Sequence, residues 1–118
     1  MTTFFISGPI TGHADYREEF RQAEDLCRLL GYKFITPRPL EQMVSDPDIM
    51  THDDWMDLTF RLMDKADAVV QLRGWRESPG ACMEYGYAMA KDMMIMGIDV
   101  LEEAAEDLRH TGDSHAAG

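Results

Sequence analysis

The sequence predicts a three-layer α/β/α sandwich built on a parallel sheet of four or five strands. Short apolar runs with the two-residue period of strands alternate, about four times, with longer segments of helical period. The first three of these runs give way to loops bearing Gly or Pro, at Gly8-Pro9, at Pro37-Arg38-Pro39 and around Gly74. Parallel neighbours cannot be joined by hairpins and need crossover connections, which the intervening helices supply. That is the doubly wound, flavodoxin- or Rossmann-like arrangement, whose ligands sit beyond the carboxyl ends of the strands.

Thr3 to Ser7 is a compact apolar run closed by Gly8-Pro9 and reads as a buried first strand, followed by a loop to Gly12. From Asp15, placed to cap, to Leu30, the residues Tyr16, Phe20, Ala23, Cys27 and Leu30 recur at helical spacing, and Gly31 is placed to end the helix. Tyr32 to Thr36 alternates like a strand and stops at Pro37, since Pro cannot donate to a ladder. The stretch through Asp46-Pro47-Asp48 has no period and reads as a long loop.

A second helix follows, with Trp55, Leu58, Thr59, Leu62 and Ala66 on one stripe and Met56, Phe60 and Met63 on another. So broad an apolar surface predicts burial on two sides, with a second subunit covering one of them in a homodimer or larger homo-oligomer. Asp67 to Leu72 is the clearest strand, and Pro79-Gly80 opens a third helix. Met93 to Ile98 fits a fourth strand and Leu101 to Leu108 an acidic last helix. Residues 1–109 thus form one domain, and the small, polar stretch from His110 to Gly118 is expected to be a flexible tail.

The 118 residues carry 22 acidic and 11 basic side chains, a formal net charge of -11. So negative a surface repels phosphate backbones, and no Lys/Arg-rich run offers a groove to override it, so polymeric nucleic acid is excluded as the expected partner. No stretch approaches the length of a membrane span, and the N-terminus lacks the pattern of a signal peptide, so a cytoplasmic location is expected. Cys27 and Cys82 read as reduced thiols on helices. With His13, His52, His110 and His115 they show no ligand spacing, so neither a metal nor a cofactor is expected. The ten methionines are assigned to core and subunit contacts.

The chemistry concentrates in Gly74-Trp75-Arg76-Glu77-Ser78-Pro79-Gly80-Ala81-Cys82-Met83-Glu84. Ser78 and Gly80 stand at a helix N-terminus, where free N–H groups and the helix dipole favour a phosphate or carboxylate. Glu84 follows one turn later, with Gly80, Ala81, Tyr87 and Ala88 as its neighbours at helical spacing, a face read as made of small residues. A carboxylate on a small-residue face beside such a crevice is either a solvated rim charge or a reacting group.

Phe5-Ile6-Ser7-Gly8-Pro9-Ile10-Thr11-Gly12, the Ala66-Asp67-Ala68-Val69-Val70 strand opening and the Gly74 to Ala88 segment together resemble the nucleoside 2-deoxyribosyltransferase-like superfamily. They are most similar to a branch of short proteins, often of phage or prophage, with a Ser-Gly-Pro-Ile loop and a Gly-Trp-x-x-Ser-x-Gly-Ala-x-x-Glu motif. The resemblance spans roughly residues 4 to 98. It implies cleavage of the N-glycosidic bond of a small nucleoside or nucleotide, with Glu84 attacking the anomeric carbon and water or a second base resolving the glycosyl ester. It also implies that Ser7, Gly8, Pro9, Ile10 and Gly12 face sugar and phosphate. Ser78 stands where deoxyribosyltransferases often carry Asp and nucleoside-monophosphate N-hydrolases carry Ser, which implies a 5′-monophosphate substrate.

Two positions depart from that pattern. Many active members carry a Tyr where this chain has Phe5 and an Asp where it has Thr59, which keeps open an inert nucleotide binder beside hydrolase and deoxyribosyltransferase. Trp75 is assigned to the base-binding side, with Trp55 as a second stacking candidate. Arg38, Arg73 and Arg76 are the cations available to a phosphate, and Asp67 reads as a structural residue at the opening of the third strand.

Overall fold

A computed structural model describes residues 2–10, 15–37 and 45–117. Gly12, Arg38 and His13, singled out above, lie outside the described residues. Four strands, β1 (Thr3–Ser7), β2 (Lys33–Ile35), β3 (Ala68–Gln71) and β4 (Met94–Gly97), pair in the order β2-β1-β3-β4, all parallel. Among the described residues three helices, α1 (Tyr16–Leu29), α2 (His52–Met63) and α3 (Pro79–Ala90), lie in the connections between them, and α4 (Ile98–Ala117) follows β4. The four-stranded form of the expected three-layer sandwich is therefore the one adopted.

The layers follow from strand alternation. Phe4 and Ile6 of β1, with Ala68 and Val70 of β3, pack against Phe20, Ala23 and Cys27 of α1 and Ile98 and Leu101 of α4. Phe5 and Val69, one residue out of phase, pack against Met63 of α2 and Ala88 of α3. Every residue of β3 is buried, as expected of a parallel strand covered on both faces. The chain runs from β1 outward to β2, then back across β1 to β3. The tip of β1 is thus the point where strand order reverses, and crevices open at such points.

Local signals account for the ends. Gly31, with φ +79°, closes α1 in a Schellman motif: its N–H reaches the Arg28 carbonyl at 3.1 Å and the Tyr32 N–H reaches that of Cys27 at 2.8 Å. Asp15 sits at the N-cap position of α1, but its side chain makes no capping bond. Helix α2 starts three residues before its apolar stripes. There Thr51 and Asp54 form a capping box, the Thr51 hydroxyl accepting from the Asp54 N–H at 3.1 Å while the Asp54 carboxylate accepts from the Thr51 N–H at 2.8 Å.

The two stripes of α2 are largely covered by its own chain: Met56, Thr59 and Met63 are buried, and Trp55, Leu58, Phe60 and Leu62 are half-buried. Phe60 stacks on Tyr87 of α3 at 4.3 Å between ring centroids. Asp67 accepts from the Thr3 N–H at 2.8 Å, a backbone tie at the end of the sheet opposite the crevice. The backbone of α4 stays helical to Ala117, past the boundary at His110 that the polar composition suggested. Among the described residues no helix is long and apolar enough to cross a membrane.

Candidate active site

A cavity of about 490 Å³ opens beyond the tips of β1 and β3, between α2 and α3. The post-β1 segment contributes Gly8, Pro9 and Ile10. Gly8 sits where side chains have no room, since a Cβ built on it would lie 2.8 Å from the Cβ of Leu72. Helix α2 contributes His52, Trp55, Met56 and Thr59, whose i, i+3, i+4, i+7 spacing puts them on one face. The segment leading into α3 contributes Glu77, Ser78, Pro79, Gly80, Ala81 and Glu84.

Ser78 caps α3, its hydroxyl accepting from the Ala81 N–H at 3.3 Å, and Pro79 takes the first helical position, where a missing N–H costs nothing. Gly80, second in the helix, lines the cavity, and as a first-turn residue its N–H has no intrahelical acceptor. Before the cap, a left-handed Gly74 (φ +83°) introduces a single 3-10 turn, Trp75–Glu77. That turn carries Trp75 away from the cavity and onto Tyr85, with ring centroids 4.9 Å apart. Trp55, not Trp75, is the indole in the cavity wall.

Glu84 is 7% exposed and reaches the cavity from the second turn of α3. The Ser7 hydroxyl donates to its Oε1 at 2.5 Å. Burial pushes the Glu84 carboxyl up to about 7, and the hydrogen bond from Ser7 acts in the opposite direction without cancelling it. Ser7 itself is 1% exposed and stands behind Glu84 rather than in the cavity wall, so it meets the carboxyl and not the space a ligand would fill. Gln71, opposite Ser7 in the β1–β3 register, is also buried, and its Nε2 has no hydrogen-bond partner.

The two departures from the family pattern fall in different places. Thr59 lines the cavity, its hydroxyl donating to the Trp55 carbonyl at 2.9 Å. Phe5 is fully buried in the α2/α3 layer with Met63, Val69 and Ala88 and does not line the cavity. The arginines considered for phosphate are engaged elsewhere: Arg73 makes a two-point ion pair with Glu102 of α4, and Arg76 lies over the ring of Trp75. Among the described residues no group of three His, Cys, Asp or Glu side chains could hold a metal ion.

His52 and Trp55 are the wall residues that the motifs miss. The Thr51-x-x-Asp54 capping signal, which fixes where α2 begins and hence which face turns inward, is what points to them. A buried carboxyl whose ionisation is pushed up to about 7, facing a mostly apolar cavity, is suited to covalent attack or proton transfer near neutral pH.

No curated protein matches the chain in sequence. Among solved structures it is similar to a 2-deoxyribosyltransferase from the psychrotolerant bacterium Bacillus psychrosaccharolyticus, with a TM-score of 0.58 and 17% identity over 80% of this chain and 70% of that one. The likeness shows the nucleoside 2-deoxyribosyltransferase-like fold. A sequence family described as a domain of unknown function (DUF4406) matches residues 2–97, from the residue before β1 to the last residue of β4, and the chain belongs to that family.

Proposed function

We propose that the protein is an N-glycosidase that hydrolyses the N-glycosidic bond of a nucleoside or deoxynucleoside 5′-monophosphate, with Glu84 as nucleophile. The observation that carries this reading is the buried Glu84 carboxyl facing the cavity at the strand tips. A carboxylate oxygen of Glu84 bonds to the anomeric carbon while the C–N bond breaks, and the base departs with that electron pair and takes up a proton. Water then cleaves the glycosyl ester, returning the carboxylate and releasing the sugar phosphate.

The N-terminus of α3, with the Ser78 hydroxyl and the Gly80 N–H, supports placing the 5′-phosphate there. Trp55, in the wall contributed by α2, is the aromatic side chain assigned to the base. Interception of the same ester by a second base is deoxyribosyl transfer, the activity of the structurally similar enzyme.

One observation favours a second reading, an inert nucleotide binder. Thr59 puts a hydroxyl committed to its own helix where relatives put a carboxyl, leaving the leaving base without that proton source. Chromatographic detection of free base from a panel of nucleotides, with and without an acceptor base, separates the three readings. Release of base by the wild type and not by Glu84→Ala supports hydrolysis, a requirement for acceptor supports transfer, and thermal stabilisation by nucleotide without turnover supports the binder.

A further inference from the structure

The bond between Ser7 and Glu84 joins residues 77 positions apart, from the tip of β1 to the second turn of α3, and both are buried. It is the sole side-chain hydrogen bond of Glu84 among the described residues. Gln71, opposite Ser7 in the β1–β3 register, is buried with its Nε2 unpartnered, so in this structure it does not share the holding of Glu84. Without Ser7, no hydrogen bond from a side chain among the described residues would fix the rotation of a carboxyl that must offer one oxygen to an incoming carbon.

We propose that Ser7 is the positioning residue of Glu84: its hydroxyl anchors Oε1 from behind, so that Oε2 is the oxygen presented to the anomeric carbon. The inference rests on the assignment of Glu84 as nucleophile. Ser7 also lends the carboxylate a hydrogen-bond donor where water cannot reach, which favours the charged form that attacks. His52 from α2 and Glu77 from the turn before α3 are the titratable side chains that share the cavity, while β1 and β3 present uncharged Ser7 and Gln71 on this face. A hydroxyl at the end of a buried strand is thus part of the reacting apparatus without touching the substrate.

The test compares wild type, Ser7→Ala and Ser7→Thr, with Ser7→Cys replacing the alanine variant if that variant does not fold. In Ser7→Ala, kcat for base release is expected to fall about ten- to a hundredfold with KM held within about twofold, the acidic limb of the pH profile to move upward, and Ser7→Thr to recover both. A carbon-13 NMR titration of the Glu84 carboxyl, which needs no turnover, is expected to show the same upward movement in Ser7→Ala. Loss of activity in Glu84→Gln together with an unchanged kcat, pH limb and titration in Ser7→Ala would overturn the positioning role while leaving the nucleophile in place. If the wild type releases no base, the glycosidase reading fails and the titration alone decides whether Ser7 governs the ionisation of Glu84.

Discussion

Gly8 and Leu72 approach so closely that a Cβ on the glycine would lie 2.8 Å from both Cβ and Cδ1 of the leucine. The Leu72 N–H donates to the Ser7 carbonyl at 2.8 Å, so this contact continues the β1–β3 pairing into the floor of the cavity. Gly8→Ala is expected to cost about 1–3 kcal/mol, because Leu72 meets it with its Cβ as well as its Cδ1, and rotating the tip away leaves the stem in place. Urea denaturation with an unchanged m-value checks this, and a variant as stable as the wild type would show that the backbone yields instead.

The ionisation of Glu84 sets a pH profile. With its carboxyl pushed up to about 7 by burial, the attacking form is scarce in acid. Below that pH, kcat/KM for base release is expected to fall about tenfold per unit, and above it to level off. Because His52 and Glu77 share the cavity, His52→Gln and Glu77→Gln are the controls. A limb that vanishes in either would assign the titration to that group and not to Glu84.

The same shift ties stability to pH with a definite sign. Between its ordinary value of 4.5 and about 7, the folded state holds a proton on Glu84 that the unfolded chain releases. This contribution is therefore complete below 4.5 and is lost as the pH rises to about 7. Glu84→Gln keeps the shape and an acceptor for Ser7 but cannot ionise, so it is expected to be more stable than the wild type by roughly 3 kcal/mol above pH 7 and to lose that advantage in acid. Parallel melting curves at pH 4 and pH 8 check it.

Ser78→Asp separates capping from substrate recognition. Asp caps as well as Ser and suits the positive end of α3, so stability is expected to stay within about 0.5 kcal/mol. The added charge opposes a phosphate at the same helix end. KM for a nucleoside monophosphate is expected to rise about tenfold or more while that for the free nucleoside stays level. Equal changes for both substrates would place the phosphate elsewhere.

The layered fold was legible because each strand and helix announces its own period, and the ends of α1 and α3 are marked by Gly31 and by Ser78-Pro79. Glu84 was legible from its motif. The bond from Ser7 was not, because local pattern carries no information about which side chain 77 residues away will share a buried face. The choice between Trp55 and Trp75 turned on one left-handed glycine, Gly74, whose turn folds Trp75 back onto Tyr85. Phe5 could be aligned with a catalytic position, yet it packs in the core one step deeper than Ser7, and a tyrosine hydroxyl there would be buried among Met63, Val69 and Ala88.

Along β1, Phe4 and Ile6 face one layer while Phe5 and Ser7 face the other. A single-residue insertion or deletion in this strand would therefore exchange the two faces, turning Ile6 toward Glu84 and driving the Ser7 hydroxyl into the apolar layer under α1. Point changes along β1 are graded in their effects, but its length in residues is all-or-none, because the spacing from Thr3 to Gly8 sets which layer each side chain enters.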